Sequence, residues 1–187
     1  MRSRLLWLDI ALKVLLVGLL VYAVTHQNLH QFHGKGNGTR VIVYPLFTNV
    51  VPLLWLALGR RGRYPFDVDI LICLPFLFDT LGNQFNMYSR YYWWDNVNHF
   101  GNWAVLVAGF GLLLVRLRLR GWVLFGLAVG FGAATAILWE LGEYVTFIHA
   151  NASELQNAYH DTLEDLAEGL AGSVTAAALL ARCFKGK

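Results

Sequence analysis

Apolar runs separated by short polar loops fill most of this chain, and they limit what it can fold into. They fall at about 5–24, 41–58, 66–84, 99–115, 122–145 and 161–181. A hydrocarbon core about 30 Å thick takes about 20 residues of helix to cross. The pattern therefore predicts an all-α integral membrane bundle of six transmembrane helices, one transmembrane domain over residues 1–187. Composition agrees, with 57% hydrophobic and only 14% charged residues, where a soluble domain carries about 25% charged. The first run follows Arg2 and Arg4 as a signal peptide would, but it continues to Val24 without a clean small-residue cleavage site. It is expected to be a retained helix.

The basic residues set an orientation. Arg2 and Arg4, then Arg60, Arg61 and Arg63, then Arg116, Arg118 and Arg120, and finally Arg182, Lys185 and Lys187 occupy the two ends and alternate loops. The intervening loops hold only Lys35, Arg40 and Arg90. The positive-inside rule then puts both termini in the cytoplasm, with the plasma (inner) membrane as the expected location. No basic, aromatic-interleaved stripe suggests nucleic acid. Cys73 and Cys183 lie far apart in apolar or terminal context and form no disulfide framework.

This orientation brings acidic residues to one depth near the outer face. Asp79 and Asn83 end the third run; Asp95 and His99 open the fourth; Glu140 and Glu143 end the fifth; Asp161, Asp165 and Glu168 open the sixth. Asp95 with His99 and Asp161 with Asp165 are i,i+4 pairs, and Glu140 with Glu143 is i,i+3, so each pair shares a helix face. Several carboxylates in a low dielectric repel unless protonated or matched by a cation. Carboxylates with an imidazole suit a hard or borderline divalent ion. The expected metal ligands are Asp95, His99, Glu140, Asp161 and Asp79, with Glu143 and Asp165 as catalytic bases. A blander reading makes Asp95 and Asp161 first-turn acids favoured by the helix dipole. Glu140 resists it, because it lies in the C-terminal half of a helix, where the dipole disfavours anions. Other features carry less: Asp67 and Asp69 are expected to pair with Arg60 to Arg63, and His26, His30 and His33 to be solvated. Gly126 and Gly130, with Ala133 and Ala134, are expected to line a helix–helix contact.

Three motifs carry a resemblance: DNVNHF at 95–100, WELGE at 139–143 and HDTLED at 160–165. Together they resemble the YjdF-like family of small bacterial inner-membrane proteins over residues 65–180, and the first is more distantly similar to VanZ-like membrane proteins. Asn96 stands where the family often has Lys. The resemblance implies a fold and a motif set.

The chemistry supports a metal-dependent membrane hydrolase or transferase, acting on a membrane lipid or lipid-linked small molecule. A divalent-cation or proton-coupled transporter is the second reading, with Asp9, Lys13, Asp69 and Thr48 as candidates for a polar path. A non-catalytic scaffold is the third.

Overall fold

The computed structural model describes residues 2–60, 62–149 and 152–184, so Arg61, Lys185 and Lys187, counted above, lie outside the described residues. The chain divides into two units, residues 1–89 and 90–187.

The first unit begins with α1 (Arg2–Thr25), whose buried stripe is Asp9, Leu16, Leu20 and Ala23. The spacing keeps these residues on one helical face, which lies against α4 (Phe66–Gln84). Between them run α2 (Asn37–Thr48) and α3 (Val50–Ala57), bent by 45° across Asn49. Pro52 explains the break. It lacks the N–H that would reach the Thr48 carbonyl, and α3 places it in a first turn, where that N–H has no helical partner to lose. A short α5 (Met87–Arg90) follows α4.

The second unit consists of α6 (Trp94–Arg116), α7 (Gly121–Glu143) and α8 (Ala152–Cys183). One π-helical turn, Tyr144–Ile148, extends α7. Its apolar core gathers Val107 and Leu114 from α6, Leu124 and Ala128 from α7, and Ala176, Ala177 and Leu180 from α8. Phe110 and Phe131 stack with centroids 4.1 Å apart.

The expectation of six transmembrane helices does not hold. Among the described residues four helices are long and apolar enough to cross a membrane, in α1, α6, α7 with its π turn, and α8; α2 with α3 makes a fifth if the bent pair is one span. The segment 66–84 does form α4, but Asp67, Asp69 and Asp79 within 19 residues leave it too polar for a span.

The small-residue contact also falls elsewhere than expected. A Cβ at Gly126 or Gly130 would meet nothing within 4 Å, and Ala134 is exposed. The buried line of α7 is Leu124, Ala128, Gly132, Ala136 and Glu140, one residue every four. A Cβ at Gly132 would fall 2.6 Å from Ser173 Cβ and 2.8 Å from Val107 Cγ2. On α8, a Cβ at Gly172 would collide with the Phe100 carbonyl of α6, and one at Gly169 with the Trp103 ring. Absent side chains there let the α6 and α8 backbones approach closely.

A candidate metal centre between two helices

The close crossing of α6 and α8 builds the site. His99 directly precedes Phe100, and Asp165 lies one turn before Gly169 on the same α8 face. Seating Gly169 and Gly172 on Trp103 and Phe100 therefore carries Asp165 to His99. Asp95, one turn before His99 on α6, completes the group. His99 Nε2 lies 3.6 Å from Asp95 Oδ1 and 3.5 Å from Asp165 Oδ1. One ligand atom from each of the three residues falls within 4.8 Å of the others. A tetrahedral ion with bonds of about 2.0–2.1 Å holds its ligand atoms about 3.3–3.4 Å apart, so both imidazole–carboxylate separations are near those of shared coordination. His99 and Asp165 are buried and Asp95 is partly buried. The cluster can coordinate a metal ion, and its one nitrogen and two carboxylates suit a divalent one.

The acids around it come from α7 and α8. Glu140, 7% exposed, completes the buried line of α7, and its carboxylate accepts a hydrogen bond from the Thr162 hydroxyl of α8. The negative charges of Asp95, Glu140, Asp161 and Glu143 all bear on Asp165. Asp161 is exposed and Glu143 partly so. Carboxylate crowding of this kind is strongly unfavourable in a protein interior unless protons or a cation offset it.

Of the residues singled out in the sequence, Asp95 and His99 enter the cluster. Asp165, expected as a base, joins them as a potential ligand. Glu140, Glu143 and Asp161 stand around it as neighbouring acids. Asp79 belongs to the first unit, where it accepts from Arg40 Nη1 at 2.5 Å, Tyr44 at 2.6 Å and Tyr88 at 2.7 Å. Asp69, expected to pair with Arg60 to Arg63, pairs with Lys13 at 2.7 Å; Arg61 lies outside the described residues. His26 stacks on Tyr22 at the end of α1. Cys73 is buried, Cys183 is exposed, and neither is in a disulfide. Sequence reasoning missed Gly169 and Gly172, although their i+4 and i+7 spacing from Asp165 was a readable signal.

These features define an integral multi-pass membrane protein with a buried Asp/His/Asp cluster fit for a metal ion. Residues 8–186 match the family described as "Predicted membrane protein (DUF2238)", and the chain belongs to that family. It is also similar to a Thermotoga maritima protein bearing the name "Uncharacterized protein", 27% identical over 115 residues, a match that spans 60% of each chain. No solved structure matches.

Proposed function

We propose that the Asp95–His99–Asp165 cluster is the divalent-metal centre of a membrane-embedded hydrolase or transferase acting on a lipid or lipid-linked molecule. The convergence of one imidazole and two carboxylates from α6 and α8 carries this reading. Three protein ligands leave coordination positions open, as in catalytic rather than structural sites. A bound ion supplies Lewis acidity toward a phosphoryl or carbonyl group. Glu143, partly exposed at the end of α7, takes up a proton as general base. Glu140, held by Thr162, fixes the wall of the site and adds negative charge.

The substrate class follows from depth. The cluster lies at the start of α6 and in the first half of α8, beside the acidic end of α7, with exposed Tyr91, Tyr92, Trp93 and Tyr144 nearby in the chain and Trp122 at the opposite end of α7. Aromatic residues of this kind favour the two membrane interfaces. Arg116, Arg118 and Arg120 lie between the other ends of α6 and α7, so the positive-inside rule assigns those ends to the cytoplasm. The cluster then opens toward the outer face of a plasma (inner) membrane, and the C-terminus of α8 is cytoplasmic. The likeness to the YjdF-like family rests on the motifs that supply these residues and stands with the same proposal. One observation favours the transporter reading as a second: Asp9, Lys13 and Asp69 gather into a buried ionic cluster in the first unit.

Metal analysis tests the proposal. Purified wild type should carry a near-stoichiometric divalent ion, lost in His99→Ala and in Asp165→Asn. Chelator should lower the melting temperature of wild type, because an ion bound only by the folded state stabilises it, and should leave the variants unmoved. Wild type that stays metal-free in metal-supplemented buffer, with chelator-independent melting, overturns the reading.

A further inference from the structure

A second set of buried ionisable groups lies between α1 and α4, and the metal centre makes no use of it. Lys13 Nζ donates to Asp9 Oδ2 at 3.1 Å and to Asp69 Oδ2 at 2.7 Å. The Tyr64 hydroxyl donates to the same Asp69 oxygen. The Asp69 side chain is fully buried and that of Asp9 is 8% exposed, both covered by the protein itself. Asp9 Oδ1 also lies 3.1 Å from Lys13 Nζ, whereas Oδ1 of Asp69 is buried without a hydrogen-bond donor. Lys13 Nζ thus bridges the two carboxyls. Other titratable groups facing them are Lys13 on α1, Cys73 on α4 and Tyr64 before α4.

With two carboxylates and one ammonium ionised, the cluster carries one uncompensated negative charge inside the protein. Such a charge is strongly disfavoured there, and two carboxyls held on one ammonium avoid it by binding a proton. Tyr64 does not neutralise the cluster by charge, but its hydroxyl remains a donor. Burial, followed by the hydrogen bond and the negative charge of Asp69, holds the phenol above its ordinary range.

We infer that the Asp9–Asp69 pair is a proton-binding site that holds one exchangeable proton between α1 and α4. Asp69 receives both Lys13 and Tyr64, which favour its ionised form. Asp9 receives only Lys13 and therefore carries the proton. The seat of α1 on α4 depends on that proton, and its release leaves a net charge in the contact. The inference does not rest on the metal centre.

Infrared spectroscopy of the full chain in detergent, with aspartate labelled at the carboxyl carbon by carbon-13, reads the proton directly. At neutral pH wild type should show an aspartic-acid carbonyl band that shifts with the label and fades as pH rises. The wild-type minus Asp9→Asn difference should contain this band. Tyr64→Phe, a milder change for the fold, should move the band's frequency, because Asp69 loses one donor and draws harder on the Lys13 it shares with Asp9. A wild type without the band, an Asp9→Asn spectrum that retains all of it, or a band unmoved in Tyr64→Phe overturns the inference.

Discussion

Asp79 shows how a single residue can fit a site by sequence and belong elsewhere in the fold. The residue is 7% exposed, and its carboxylate is taken up by Arg40, Tyr44 and Tyr88. Removing one partner of a buried ion pair costs about 3–5 kcal/mol, because the other charge stays buried. Asp79→Ala should therefore lower the thermal midpoint sharply. Tyr88→Phe, which deletes one hydrogen bond, should cost only about 1 kcal/mol. Thermal melts of the two variants in one detergent make the comparison, and equal midpoints would reject the buried-pair account. Nothing in the sequence pointed from Asp79 to Arg40, since 39 residues separate them and their meeting depends on how α2 lies on α4. Asp95 with His99 was legible because both stand on one turn of one helix. Asp165 was expected at the same depth as a base, but its seat directly beside His99 depends on how α8 crosses α6.

At the scale of the element, the crossing of α6 and α8 is set by what is missing from Gly172. Gly172→Ala places a methyl group against the Phe100 carbonyl, and backbone cannot swing aside as a side chain can. The helices must separate, and His99 moves from Asp165 although neither has changed. This variant should melt lower and lose most of its bound metal. Gly130→Ala, whose Cβ meets nothing within 4 Å, should keep both properties near wild type. Metal content and thermal midpoint measured on the two proteins would expose an error if Gly130→Ala were the more damaged. Helix existence was largely readable from the sequence. The runs at 5–24 and 99–115 lie inside α1 and α6, and 66–84 coincides with α4. Hydropathy was a poorer guide to span number, because α4 is helical by pattern but holds three carboxylates. It also missed the start of α8, whose first turns are polar. At about 1.5 Å per residue its 32 residues reach about 48 Å, more than a core about 30 Å thick requires.

For the whole molecule, the proposed outward-facing centre makes a demand on topology. A reporter joined after Arg118 should report the cytoplasm, and one joined after His149 the outside. The opposite result would put the cluster at the inner face and remove the outer-leaflet substrate from the proposal. The same chain shows how little of its chemistry is stored in bulk properties. Asp165, Gly169 and Gly172 work together because steps of four and three residues return to one side of a helix. Inserting one residue between 165 and 169 would swing the carboxylate about 100° away from His99, while composition, charge and apolar length stayed almost unchanged. For this site, the length of a short stretch of α8 matters as much as its letters.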